Sequence, residues 1–255
     1  MSFKTSSFIR KSLIVAFWLL VWQAASAAID NSIIFVGPWE VLTALGSRLF
    51  SPDFWKAIAS TFGKISLGFL TAFLLGILLG SLSYRYRFLE ELLAPLFSLL
   101  KSIPVASFVI LALIWMGSEN LSVFISFLVV LPMLYINTIA GLRNTDPKLL
   151  EMAKVFRVSH WKKFYYIYRP ALIPFLSSGC KIALGMSWKS GIAAEVIGTP
   201  DHSIGNELYM AKIYLSTADL FAWTLVVIVI SILFERLFMY FLNRLGTTPQ
   251  KGGAA

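Results

Sequence analysis

Apolar residues run along this chain in long uniform blocks. Six of these, residues 12–29, 58–83, 96–116, 121–142, 171–194 and 218–242, approach or exceed the length of a bilayer-spanning helix. A hydrocarbon core needs roughly 20 mostly apolar residues at about 1.5 Å each. Only helices and closed barrels satisfy every backbone donor and acceptor in lipid, and barrel strands alternate apolar with polar positions. These blocks do not alternate. The pattern therefore predicts an all-α membrane protein of six helices: a first helix and outer loop over 1–57, a core of five helices over 58–242, and a tail over 243–255.

The first block has a second reading, since Lys4, Arg10 and Lys11 precede it and Ala25-Ser26-Ala27 closes it, the layout of a secretory signal with its cleavage site. We read it as a retained helix. Either reading leaves Asp30 outside, so the rest of the topology is the same.

Composition agrees with the blocks: 58% of the 255 residues are hydrophobic and 14% charged. With the N-terminus inside, fifteen Lys and Arg fall in the inner segments, seven of them from Arg143 to Arg169, against Arg48, Lys56 and Lys212 outside. That asymmetry predicts a multi-pass membrane protein with both termini cytoplasmic. It also accounts for the net charge of +9 without a nucleic-acid surface. The outer loops, 30–57, 117–120 and 195–217, are too short for a solute-binding domain, so capture outside would fall to another protein.

Little chemistry is on offer. Cys180 is the single cysteine and lies inside a block, while His160 and His202 fall on opposite sides, so no metal or thiol site is expected. "GMSWKSG" at 185–191 has a Lys-Ser pair after a Gly but lacks the second Gly of a phosphate loop, and no Gly-x-Ser-x-Gly elbow is present. The chain reads as a non-enzyme without a cofactor of its own.

Two stripes of small residues recur every fourth position: Gly68, Ala72, Gly76, Gly80, and Gly179, Ala183, Ser187, Gly191. Such stripes let helix backbones approach closely, within one bundle or between subunits. Lys64, Lys101, Lys181 and Lys189 stand within blocks, where a charge is costly unless it faces water or a partner. Snorkelling accounts for Lys64, and Lys101 lies just before the bend expected at Pro104. Lys181 falls near the middle of its block, with Lys189 about 80° further round the helix, so both can face one aqueous path. Snorkelling or an interhelix hydrogen bond is the other reading of Lys181.

The inner segment 143–169 mixes basic with aromatic residues. Asp146-Pro147 is a helix start, and Leu149, Met152, Ala153 and Phe156 follow at i, i+3, i+4, i+7. The phase breaks at Arg157. Ser159 can cap a second helix with Trp161, Phe164, Tyr165 and Tyr168 on one face, which Pro170 is expected to end. Two short helices thus present an aromatic knob with a basic rim, suited to a protein groove or to lipid headgroups.

These residues carry a resemblance. Binding-protein-dependent ABC importer permeases have in their last large cytoplasmic loop Glu-Ala-Ala, three residues, Gly, nine residues, Ile-x-Leu-Pro. Here the positions are Glu151-Met152-Ala153, Arg157, and Ile167-Tyr168-Arg169-Pro170, with the spacing intact. Met152, Arg157 and Arg169 depart from the pattern, and Arg157 replaces the Gly that shapes the turn. "SIPVASFVILALIWMG" at 102–117 and "GMSWKSGIAAEVIG" at 185–198 are similar to the nitrate, sulfonate and taurine branch, and the likeness extends over 58–242.

The resemblance implies a type I-like six-helix permease. A second copy, most simply a homodimer, would complete the path; two cytoplasmic ATPase subunits would bind ATP, and an extracytoplasmic binding protein would deliver the solute. It further implies that Glu151, Met152, Ala153, Phe156, Arg157, Ser159, Trp161, Phe164 and Pro170 form the ATPase-coupling segment. Pro170 and Pro174 would pass its tilt into the fifth span. Intramembrane cations would suit an anion such as nitrate, a sulfonate or taurine. A secondary transporter or channel is the alternative, favoured by paired membrane carboxylates or inverted repeats, which the sequence does not display.

Overall fold

The computed structural model describes residues 2–246, with side chains from Ile9 to Arg244. Every regular element among them is helical. Helix α1 (Ser2–Ile29) is followed by a short α2 (Pro38–Arg48) and a long α3 (Pro52–Arg85). α3 starts six residues before the apolar block at 58 because Ser51 turns extended and Pro52 occupies the first helical position, where a missing N–H costs nothing. Asp53 in that first turn complements the helix dipole.

The third block is not one straight helix. α4 (Arg87–Ser102) and α5 (Val105–Met116) meet at a bend of 104°. Ile103 is extended, at φ −72° and ψ 127°, because the ring of Pro104 excludes the α conformation from the residue before it. The six spans expected are therefore five long helices and one broken pair among the described residues.

α6 (Leu121–Arg143) leads to α7 (Pro147–Val155) and the four-residue α8 (His160–Lys163). Pro170 does not end the second amphipathic segment. A π-turn over Phe164–Tyr168 joins α8 to α9 (Arg169–Gly198), with Arg169 N donating to Phe164 O five residues back. The widened turn absorbs the donor that Pro170 lacks. The result is one helical run of 39 residues, His160–Gly198, closed by Thr199 in the left-handed region and Pro200. α10 (Ile204–Ile213) and α11 (Thr217–Gly246) complete the chain; the rest of the expected tail lies outside the described residues.

α6 is the centre of the bundle, with α3 on one side and α9 on the other. Both small-residue stripes face it. A Cβ on Gly76 would stand 2.8 Å from Leu134 Cβ, one on Gly80 2.7 Å from Thr138 Cβ, and one on Gly191 2.7 Å from Ser126 Oγ. Ser126 Oγ also donates to Ser187 O at 3.2 Å across the α6–α9 contact. α11 closes the core through Phe234 and Phe238, which meet Phe69 edge-on. α1 stands apart: Trp22 Nε1 donates to Val36 O at 2.9 Å, but most of its apolar side chains are exposed, as a helix in lipid requires.

Candidate functional site

At one end of the bundle, Asp146 caps α7 by accepting from Lys148 N at 2.9 Å. α7 ends in a Schellman motif: Val158 N donates to Ala153 O and Arg157 N to Lys154 O. Arg157 has φ +50°, so the departure from the motif Gly keeps the left-handed backbone that a Gly would adopt. A side chain there costs about 1–2 kcal/mol. Arg157→Gly is expected to stabilise the purified protein by up to about 1 kcal/mol, a rise of about 2–4 °C in Tm; an unchanged or lower Tm would show that the Arg side chain more than offsets the strain.

Ser159 has the extended backbone of a cap, φ −61° and ψ 154°, but its hydroxyl makes no capping bond. Ala153 is fully buried at the turn, whereas Phe156 is 74% and Trp161 82% exposed, with Met152 and Phe164 about half exposed. Glu151 and Arg157 point to solvent, and Arg169 lies over the Tyr165 ring at 4.5 Å. Large aromatic side chains unpaired outside the apolar core mark a contact surface.

Further along the same helical run, Ser178, Lys181, Ile182, Gly185, Lys189 and Ala193 form an exposed face. Neither Lys181 nor Lys189 has a hydrogen bond or ion pair among the described residues. Beside that face, a groove of about 460 Å³ lies between the α4–α5 corner, α6 and α9, lined by Lys101, Ile136, Asn137, Gly179 and Ile182.

The opposite end of the bundle, expected to be the outer one, holds what the sequence did not disclose. Lys64 does not snorkel: its Nζ is 2.8 Å from Glu119 Oε2, and Glu119 Oε1 accepts from Asp201 N at 3.2 Å. The Lys64 ammonium hydrogen-bonded to it holds the Glu119 carboxyl below the usual carboxylate range, against its partial desolvation. Arg48 bridges Glu207 at 3.2 Å and Asp219 at 2.7 Å, and the hydrogen bond to Asp219 keeps its guanidinium pKa raised. Glu195, expected to open an outer loop, is instead fully buried in the last turn of α9. Gly198-Thr199-Pro200 was the legible signal, since a helix stop there puts Glu195 inside the helix.

No three His, Cys, Asp or Glu side chains converge among the described residues, and Cys180 is free and buried. A helical membrane bundle with an exposed aromatic knob at one end and an exposed basic helix face has the parts of a transport subunit driven by a partner. Residues 72–247 match the model of the binding-protein-dependent transport system inner membrane component, and the chain belongs to that family. It is the permease component of an ABC importer, a multi-pass protein of the inner membrane; its family is one of transport permeases.

The chain is similar to the putative aliphatic sulfonates transport permease protein SsuC of Escherichia coli, 32% identical over 80% of each chain. It is 30% identical to the bicarbonate transport system permease protein CmpB of Synechococcus elongatus, over 71% of this chain and 68% of that one. The nitrate import permease protein NrtB of Leptolyngbya laminosa is 26% identical over 72% and 67%. In fold it resembles the crystal structure of an amino acid ABC transporter with histidines, at TM-score 0.59 and 17% identity, covering 78% of this chain and 97% of that one.

Proposed function

We propose that two copies of this chain enclose a path for a small oxyanion, of the nitrate, bicarbonate or sulfonate kind that the names of its relatives carry. Two ATPase subunits dock on the cytoplasmic segment 147–169, an outer binding protein loads the solute, and both termini are cytoplasmic. The observation that carries the reading is the α9 face: Lys181 and Lys189 exposed and unpaired, flanked by Ser178 and Gly185. Lipid does not suit that face, because an unpaired cation in hydrocarbon is costly and Gly and Ser offer no apolar cover. Water and a second copy across a two-fold axis do suit it.

The test is transport by the complex reconstituted with its ATPase and binding protein, offered nitrate, bicarbonate and an alkanesulfonate in turn. A unit charge about 8 Å from a passing anion changes its energy by about 2 kcal/mol at an effective dielectric constant of about 20. Lys181→Met is accordingly expected to lower uptake of the preferred anion about thirtyfold, and Lys181→Glu further. Unchanged uptake in both variants would remove Lys181 from the path.

A further inference from the structure

Glu195 is the one fully buried carboxylic side chain among the described residues, and it sits where three helices meet. Its Oε2 accepts from Thr61 Oγ1 of α3 at 2.8 Å and from Gly205 N of α10 at 3.2 Å. Thr61 Oγ1 in turn accepts from Ile204 N at 2.9 Å. Ser122 of α6, also fully buried, faces the same carboxyl without hydrogen-bonding geometry.

These bonds complete the start of α10. A helix leaves its first four N–H groups without intrahelical partners. Here Ile204 N goes to Thr61, Gly205 N to Glu195 and Asn206 N to Ser203 Oγ, while Glu207 N makes the first internal bond of the helix, to Ser203 O. Two of these three first-turn donors are thus satisfied by other helices rather than by α10's own cap. The approach is close enough that a Cβ on Gly205 would collide with Glu195 Cβ, so only Gly fits.

α10 is held on two sides. Its N-terminus is tied to α9 and α3 by bonds sealed from water. The Glu207 side chain, in the same first turn, ties it to Arg48 of α2, which also binds Asp219 of α11, and those side chains are about one quarter to one third exposed. Buried bonds with no water to replace them hold more firmly than partly exposed ion pairs. α10 also plugs the outer end of the bundle, where fully buried Ile204 packs in one cluster with Phe54, Ala57, Trp223 and Val226.

At the other end of the same helical run is the exposed knob. The 39 residues of His160–Gly198 span about 58 Å at about 1.5 Å per residue, so the run can carry a displacement across the membrane. We infer that Glu195 is a positioning residue for transport, locking the outer plug helix α10 to the far end of α9. α10 then follows α9 when the ATPase moves the knob. This inference rests on the reading of 147–169 as the ATPase contact.

The test uses the full complex in proteoliposomes with Glu195→Gln and Glu195→Ala, recording ATPase retention, solute moved per ATP hydrolysed, and a spin-label distance between Ile197→Cys and Lys212→Cys, with buried Cys180 left unlabelled. The Gln amide oxygen can accept both bonds, so Glu195→Gln is expected to keep solute per ATP within about twofold of wild type. Glu195→Ala is expected to keep its ATPase and hydrolyse ATP while solute per ATP falls at least about tenfold and the α9–α10 distance distribution broadens. Should Glu195→Ala fail to accumulate, Thr61→Val, near-isosteric and lacking the hydroxyl, carries the same expectation at several-fold. An unchanged ratio in Glu195→Ala or in Thr61→Val overturns the tie alone. Glu195→Gln failing as completely as Glu195→Ala also overturns it, since charge and not hydrogen-bond acceptance would then be what matters. A wild-type complex that retains its ATPase when 147–169 is masked by a bound antibody fragment overturns the docking assignment, and the inference with it.

Discussion

Trp161→Asp combined with Phe164→Asp is expected to leave the permease in the membrane but without its ATPase, and uptake at background. Both rings project from the inner end of the long helix, Trp161 82% and Phe164 49% exposed, before its apolar block begins at Ala171. Insertion should therefore proceed. In a protein groove such rings act as anchors worth about 2 kcal/mol or more each, so losing two weakens docking by about 4 kcal/mol, roughly a thousandfold in Kd. The aspartates add the cost of burying charge without a partner. Copurification of the ATPase with tagged permease is the direct measurement. Because ATP is hydrolysed in the cytoplasm, loss of docking would also locate this loop on that side. If added anionic lipid restored activity, the knob would be a membrane-surface element; retained ATPase at normal stoichiometry with intact uptake would place the coupling segment elsewhere.

The second large effect lies in the core. Gly68→Leu is expected to prevent recovery of folded protein, and Gly76→Ala to lower stability by about 1–3 kcal/mol. At Gly68 even a Cβ would meet the backbone carbonyl of Val123, with Ser126 Cβ 2.9 Å away, and a carbonyl in the neighbouring helix cannot rotate aside as a side chain can. At Gly76 the obstacles are Leu134 Cβ at 2.8 Å and Tyr135 N at 3.2 Å, so α3 and α6 must separate. Gly63→Ala is the control, since nothing lies within 4 Å of a Cβ there, and its Tm should be unchanged or slightly higher. A wild-type melting curve for Gly68→Leu in detergent would mean that α3 and α6 do not pack through this stripe.

The small-residue stripes also show the limit of periodicity as a guide. Their spacing announced close helix contacts and left open whether the contact was inside one chain or between two. Position resolves it: Gly179 lies against Asn137 of α6, and Gly191 against Ser126 of α6 and Ile65 of α3, all within one chain. What remains uncovered is the neighbouring face with Lys181 and Lys189. Periodicity could not distinguish the two faces, because it reports that a helix has sides and not what stands beside each.

The segment 147–169 was legible in outline as two short helices. Asp146-Pro147 started α7 as read, and Trp161, Phe164 and Tyr165 are exposed together, whereas Tyr168, expected on the same face, turns in against Tyr84. Two details were not legible. Arg157 keeps a left-handed backbone that a residue-by-residue comparison would assign to Gly, because the Schellman hydrogen bonds of Arg157 N and Val158 N hold the turn. Pro170 looked like a helix stop, yet a π-turn carries the helix through it. Both are cases in which hydrogen bonds already made on either side outweigh one residue's preference.

By itself the sequence determined that this is a helical membrane protein, because each backbone group in lipid must be satisfied within its own segment and so hydropathy read locally suffices; its charge pattern further predicts basic loops on one side. The motif spacing in 151–170 carried the family in the same local way. Only the tertiary structure decided which charges are paired and which are free. Lys64 finds Glu119 across 55 residues, Glu195 finds Thr61 across 134, and Lys181 and Lys189 find nothing among the described residues. Most element ends follow local signals, Pro52, Asp146-Pro147 and Pro104 among them, but the start of α10 depends on Thr61, distant in sequence. A buried polar group is tolerated only where a partner is brought to it, and what brings the partner is the packing of α3, α6 and α9, which no single stretch of the chain encodes.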